Sequence, residues 1–305
     1  MSVSRRTVLS AGAFAAVAAV GSPMANGKPP SSTVRFSLKY APHEGSFQSR
    51  GNVIEQIASA ADQGFTAWED NEAATRTVAT QAAMARALQQ RSMTMGVFVA
   101  SMPRWNDFRP LLGGDDDADR ERFLVDIRNS VAVAKRLNAK HMTIVPGFLS
   151  RKLPAEVQTA RVIDVLRRAA EICEPHGLVM VMEPLNTLVD HPGVFMSTVA
   201  QGYAVAKAVN SPAIKVLADL YHQQIQAGNL INTLAACWDE IAYIQFGDNP
   251  GRKEPGTGEI NYRNIVDWLR AKEFSGLIGM EHGNLVNGRT GEERLVAAYR
   301  EIDRV

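Results

Sequence analysis

Eight short apolar runs, each followed by a longer amphipathic stretch, narrow the fold of this chain more than any other feature. The runs lie at residues 34–38, 66–68, 94–100, 141–145, 178–182, 214–218, 241–246 and 277–280. Most are almost continuously apolar, as strands buried on both faces must be. The run at 34–38 is the exception, since Arg35 and Ser37 alternate with its apolar residues. The intervening stretches carry helical spacing, with faces formed by Ile54, Ile57, Ala58 and Ala61, by Val162, Val165, Leu166 and Ala169, and by Ile265, Trp268 and Leu269. Gly64 closes the first helix, His176-Gly177 closes the helix before the fifth strand, and the last helix spans 292–302. Eight such units with no second block of composition predict an α/β fold, a closed parallel (β/α)8 TIM barrel occupying 34–305 as one domain. A chain of 305 residues suits that fold, which needs about 250 plus extras. A doubly wound sheet would carry a glycine-rich phosphate loop after its first strand; this chain reads Lys39-Tyr40-Ala41-Pro42-His43-Glu44-Gly45 there.

The first residues read as a targeting segment. Ser4-Arg5-Arg6-Thr7-Val8-Leu9 precedes a mild, Ala-rich apolar stretch at 10–20, and Ser22, Pro23, Ala25 and Gly27 supply small residues for cleavage. Residues 1–27 are expected to be a twin-arginine export signal and 28–33 a leader, which makes the mature protein periplasmic. The apolar run is shorter than the roughly 20 residues that span a bilayer, so no stable membrane insertion is expected. Net charge is +1 and the histidines number six, which argues against nucleic acid as a partner. The two cysteines, Cys173 and Cys237, fall in helical segments without metal or redox spacing and read as buried thiols.

Four consecutive strands end in an oxygen-bearing side chain: Glu183 on the fifth, Asp219 on the sixth, Gln245 on the seventh and Glu281 on the eighth. On the C-terminal face of a barrel such strand ends converge, and active sites are built there. Three carboxylates around one point repel unless a cation neutralises them or their pKa values rise. An all-oxygen set suits Mg²⁺ or Mn²⁺; Zn²⁺ more often recruits His or Cys. Long loops after the third (101–117), fifth (184–196) and seventh (247–262) strands open on the same face.

Several of these segments resemble the hydroxypyruvate isomerase family. They are Ala218-Asp219-Leu220-Tyr221-His222-Gln223-Gln224, Tyr243-Ile244-Gln245, Glu183-Pro184-Leu185-Asn186, and the long string Asp248-Asn249-Pro250-Gly251-Arg252-Lys253-Glu254-Pro255-Gly256-Thr257-Gly258-Glu259-Ile260-Asn261-Tyr262. The resemblance covers the C-terminal half well and the first half only in pattern. It implies a xylose-isomerase-like barrel, with Glu183, Asp219, Gln245 and Glu281 as metal ligands and Glu183 and Glu281 as the acid/base pair. The chain departs from the family after Glu281, reading His282-Gly283-Asn284, and after the third strand, reading Ser101-Met102-Pro103.

The chemistry so implied moves a proton between adjacent carbons of a small hydroxy-keto acid or sugar, such as hydroxypyruvate and tartronate semialdehyde, through an enediolate. His222 and Arg252 are candidates for holding substrate, Arg252 by pairing with a carboxylate. Glu69, ending the second strand, is a candidate for binding hydroxyls, and Glu259 for capping the helix that begins near Tyr262 or orienting the Arg252 loop. Trp68, Phe98, Trp105 and Phe148 can wall a pocket or simply pack the core. A keto-sugar epimerase would use the same parts. An endonuclease-type barrel would need more histidines and a basic face, and a non-catalytic sugar-binding barrel would have lost ligands that this chain keeps. Assembly into a homo-oligomer is left open.

Overall fold

The computed structural model describes residues 35–304, so the proposed signal and most of the leader lie outside the described residues. Among the described residues, nine strand segments and nine α-helices follow one another in a largely alternating order. The strands are β1 (Lys39–Pro42), β2 (Ala67–Trp68), β3 (Thr94–Met95), β4 (Val99–Ser101), β5 (His141–Ile144), β6 (Val179–Met182), β7 (Ile214–Asp219), β8 (Ile241–Gln245) and β9 (Leu277–Met280). The helices are α1 (Val53–Asp62), α2 (Val78–Gln90), α3 (Asp117–Leu137), α4 (Ala155–Cys173), α5 (Val199–Val209), α6 (Leu220–Gln226), α7 (Leu230–Ala236), α8 (Tyr262–Ala271) and α9 (Gly288–Ile302). Every ladder is parallel, in the order β1-β9-β8-β7-β6-β5-β4, with β2 paired to β3. Backbone bonds from Glu69 to Pro42 (2.9 Å), from Asp70 to Val97 (3.3 Å) and from Thr143 to Phe98 (2.8 Å) close the ring. With β3 and β4 counted as one interrupted strand, the sheet is an eight-stave barrel.

Two expectations shift. The first strand is not 34–38 but Lys39–Pro42, of which Tyr40 and Ala41 have no exposure. Residues 37–38 bend instead, and Ser37 is tied to Asp303 through its N–H (2.6 Å) and hydroxyl (2.7 Å). The face of α1 turns by about one position: Val53, Gln56, Ile57 and Ala60 are buried, whereas Ala58 is half-exposed. Gln56 earns its interior place by accepting from Gly45 N–H (3.1 Å) and donating to the Gly51 carbonyl (2.9 Å). The start of α1 is secured by a capping box between Asn52 and Glu55, a device worth about 1 kcal/mol. The α4 face stands as read, with Val162, Val165, Leu166 and Ala169 all buried.

Two apolar layers result. The larger fills the space between staves and helices. The smaller, formed by Ala41, Ala67, Val97, Val181, Leu217, Tyr243 and Leu277, takes one residue from each of six strand segments and Val97 from the break between β3 and β4, and fills the barrel interior. Side chains alternate across a strand with period two. The next inward position after Ala67 is therefore Glu69, after Val181 Glu183, after Leu217 Asp219 and after Tyr243 Gln245; Leu277 leads to Gly279 and then Glu281. The polar ring is the layer directly above the apolar plug.

Candidate active site

The ring is buried: Glu69, Asp219 and Gln245 are at most 1% exposed and Glu183 is 8% exposed. Asp219 and Gln245 are register partners on neighbouring strands. Asp219 also caps α6, accepting from Tyr221 N–H at 2.8 Å through Oδ1, which leaves Oδ2 for the site. Glu281 accepts from Asn71 Nδ2 at 3.0 Å. Asn71 lies two residues beyond Glu69, the next inward position of the second stave; the period-two rule would have found it, but it went unremarked in the sequence.

Arg252 is the one cation among the described residues that reaches this ring. Its Nη2 lies 2.7 Å from Asp219 Oδ2 and 3.1 Å from Glu281 Oε2, and its Nε donates to the Glu281 carbonyl at 3.1 Å. Burial works against its charge, but Glu281, Asp219 and Glu183 hold the guanidinium above its ordinary range. The loop carrying Arg252 is organised by a residue that the sequence showed only as part of a motif. Asp248 is fully buried and accepts backbone N–H bonds from Asn249 (3.0 Å), Gly256 (2.8 Å), Gly258 (2.9 Å) and Ile260 (3.1 Å). A Cβ at Gly258 would collide with Asn249 and Asp248. Glu259 does not cap α8; that cap is Asn261, which accepts from Asn264 N–H at 3.1 Å. Glu259 instead accepts from Asn249 (2.8 Å) and Gln224 (3.1 Å), bracing the Arg252 loop from outside.

His222 has one exposed-free side and one committed side. Asn186 Oδ1 accepts from the backbone N–H groups of Val189 and Asp190, both at 3.0 Å. Its Nδ2 is therefore the atom 2.7 Å from His222 Nδ1, and Nδ1 must accept. Burial pushes the imidazole down to about 3, so it is neutral and carries its proton on Nε2. That N–H sits 3.6 Å from Asp219 Oδ2. His222, Glu183 and Asp219 are close enough to share an ion, but with this tautomer His222 serves as a donor. His282, next to Glu281, is committed elsewhere, to Tyr299 Oη (2.9 Å) and the Gly283 carbonyl (3.1 Å).

Glu69 sits at the base of the ring and not at its opening. Its two oxygens accept from Gln245 Nε2 and Tyr243 Oη, both at 2.8 Å. Each oxygen thus has a protein donor, and Glu69 itself is fully buried. Trp68 and Phe98 are fully buried core residues. Trp105 packs edge-on against Phe148 (5.9 Å) and tilts over His191 (4.6 Å), whose ring lies 5.4 Å from that of His222.

Charge does not balance. Four carboxylates, from Glu69, Glu183, Asp219 and Glu281, face one guanidinium. Burial, with Glu281 next, pushes Glu69 and Glu183 well above the usual carboxylate range, and burial raises Asp219. At the same place Gln245 Oε1 is a buried acceptor without a hydrogen-bond partner among the described residues, and Glu281 Oε2 has only its ion pair with Arg252. Oxygen-rich ligands, excess negative charge and a partnerless acceptor together fit a divalent cation.

A parallel barrel with an acidic ring at its C-terminal mouth defines a class of small-molecule barrel proteins. The chain belongs to the xylose isomerase-like TIM barrel family, which it matches over residues 57–301. A stretch of 162 residues, 53% of the chain, is 30% identical to the hydroxypyruvate isomerase of Escherichia coli K12 and covers 62% of that protein. Another of 157 residues, 52% of the chain, is 32% identical to the 2-oxo-tetronate isomerase of Pectobacterium atrosepticum and covers 60% of it. The chain thus spans under two thirds of the length of these relatives. The crystal structure of a family 2 AP endonuclease from Brucella melitensis superposes with a TM-score of 0.74 at 24% identity, covering 83% of this chain and 96% of that one. At that identity the likeness shows the fold alone.

Proposed function

We propose that this chain is a divalent-metal-dependent isomerase interconverting hydroxypyruvate and tartronate semialdehyde (2-hydroxy-3-oxopropanoate), or a close hydroxy-oxo acid. The observation carrying the proposal is the ring itself: four carboxylates against one guanidinium, with the partnerless Gln245 Oε1 among them. The residues that would hold Mg²⁺ or Mn²⁺ are Glu183, Asp219, Gln245 and Glu281. When bound, the ion supplies Lewis-acid stabilisation for negative charge developing on substrate oxygens.

The chain's own groups do the rest. Glu183 just beyond β6 and Glu281 just beyond β9 come from staves separated by β7 and β8, so one removes a proton from a substrate carbon while the other services the neighbouring position. Asn71 holds Glu281 Oε1, and Oε2 faces Arg252. The low-dielectric setting that raises Glu183 makes it a better proton acceptor than an exposed carboxylate. His222 Nε2–H donates to a substrate oxygen, and Arg252 pairs with the substrate carboxylate. The endonuclease reading gains nothing from the superposed structure, since the net charge of +1 provides no basic face for phosphates.

A second reading, a keto-sugar epimerase, uses the same ring of carboxylates and Arg252, with the proton returned to one carbon. The test is a substrate screen by NMR in deuterated water with added Mn²⁺. Exchange at both adjacent carbons of hydroxypyruvate supports the isomerase, exchange at a single carbon of a keto-sugar supports the epimerase, and no exchange with any such substrate contradicts both. Export by the twin-arginine route, carried by Arg5-Arg6, is part of the same proposal.

A further inference from the structure

We infer that Glu69 is a positioning residue that holds the Gln245 amide the one way round that offers oxygen, not nitrogen, to the cation site. The inference rests on the metal-dependent reading above and extends it to a residue that touches neither substrate nor ion.

A carboxamide has two nearly isosteric ends of opposite character, a donor NH2 and an acceptor oxygen. Left to itself, the Gln245 side chain can turn either end toward the ring, and an NH2 turned toward a cation repels it. Gln245 Nε2 donates to Glu69 Oε1 at 2.8 Å, and Gln245 Oε1 is thereby left buried with no partner. In the observed geometry both Glu69 oxygens accept, one from Gln245 Nε2 and one from Tyr243 Oη, so the amide meets Glu69 with its NH2 end. Tyr243, one inward position below Gln245 on β8, donates to the other Glu69 oxygen at 2.8 Å and pins the carboxylate in turn.

The backbone around the pair is cleared for it. A Cβ on Gly279 would collide with Glu69 Oε2 and lie 2.9 Å from Gln245 Cγ, and a Cβ on Gly96 would lie 2.5 Å from the Tyr243 hydroxyl oxygen. Three staves thus give way for the Glu69–Gln245–Tyr243 group: β9 and the third by glycine, and the second by placing Glu69 on its inward period. Partners that orient metal ligands in this manner typically matter by about 10- to 100-fold in affinity.

The test is calorimetric titration of Mn²⁺ into demetallated protein, with thermal melting to establish that each variant is folded. Glu69→Gln keeps one acceptor oxygen but adds an NH2 of its own, so it should bind Mn²⁺ with an affinity between those of the parent and Glu69→Leu. Glu69→Leu frees the amide and should weaken binding by about 10- to 100-fold. Adding Gln245→Glu to Glu69→Leu should restore affinity, because a carboxylate presents oxygen whichever way it turns. Since Glu69→Gln and Glu69→Leu both remove the charge, a simple charge effect would weaken them equally and would overturn the inference. Parent-like binding by folded Glu69→Leu would overturn it too, as would a double variant as weak as the single. Should Glu69→Leu not fold, Gln245→Glu is compared alone and with Glu69→Gln. Alone it sets two carboxylates face to face and should weaken binding; with Glu69→Gln the bond re-forms with donor and acceptor exchanged. Equal affinity in those two backgrounds would overturn the inference. A parent that binds no Mn²⁺ defeats the metal reading itself, whereas a binding parent with an indifferent Glu69→Leu defeats only the positioning role.

Discussion

The Arg252 guanidinium donates to Asp219 Oδ2 at 2.7 Å, and the same nitrogen lies 3.1 Å from Glu281 Oε2, so a single cation bridges carboxylates from the two staves that flank β8. One guanidinium cannot satisfy four acids, and without a metal the folded protein makes up the deficit with protons. Glu69, Glu183 and Asp219 are all raised, chiefly by burial. Their unfolded counterparts titrate near 4, so above that pH the folded state binds more protons than the unfolded one. Stability then falls as pH rises toward the folded-state pKa values. His141, His191, His222 and His282 are all lowered by burial and add an opposing trend where unfolded histidine titrates, near 6.5. A comparison with Glu183→Gln, whose amide does not titrate, cancels the histidines: in chelator the parent should lose stability relative to that variant as pH rises above about 4, and excess Mn²⁺ should shrink the loss. A parent that gains stability relative to Glu183→Gln as pH rises would contradict the assignment.

The two catalytic glutamates are separable from mere ligands. Glu183→Gln or Glu281→Gln keeps an oxygen that can coordinate but loses the ability to accept a proton. Turnover at saturating Mn²⁺ should fall by about 10² to 10⁴, or roughly 3 to 5 kcal/mol in the barrier. Excess metal should not rescue it. Parent-like turnover and deuterium exchange by Glu281→Gln would show that Glu281 is not a base.

Asp248 makes a prediction of a different kind. Removing its carboxylate with Asp248→Ala orphans four backbone N–H groups and frees the loop that carries Arg252. Of the four, Ile260 is buried, and an unsatisfied buried donor costs about 1–3 kcal/mol, so a drop in melting temperature is expected together with a raised KM, because Arg252 is no longer held over the ring. An unchanged KM in a folded variant would remove the loop from substrate binding.

Much of the site was legible because the barrel imposes a period of two on inward residues. Glu183, Asp219, Gln245 and Glu281 could be read as strand-end groups, and they do sit directly above the apolar plug. The same rule points to Asn71 from Glu69, but Asn71 follows the end of a two-residue strand and carries no charge to attract notice. The first strand was misplaced because Lys39 and Pro42 dilute its apolar character, while Phe36 and Leu38, which pack beside it, do not belong to the ladder. The inward-facing role of Glu69 toward Gln245 was not legible at all, since it depends on which end of an amide meets a carboxylate across two staves. Likewise, the four-fold grip of Asp248 appears only when the loop closes on itself.

Export can be checked independently of the chemistry. Changing both Arg5 and Arg6 to Lys should retain the protein in the cytoplasm. Arrival in the periplasm of a strain lacking the twin-arginine translocase would refute the targeting segment.

The most direct measurement of the central claim is turnover of hydroxypyruvate by exhaustively demetallated protein, before and after Mn²⁺ or Mg²⁺ is returned, with Asp219→Ala measured alongside. The account predicts no turnover without metal, recovery on its return, and a folded Asp219→Ala protein that neither binds the ion nor recovers. Full turnover in the demetallated protein would contradict it.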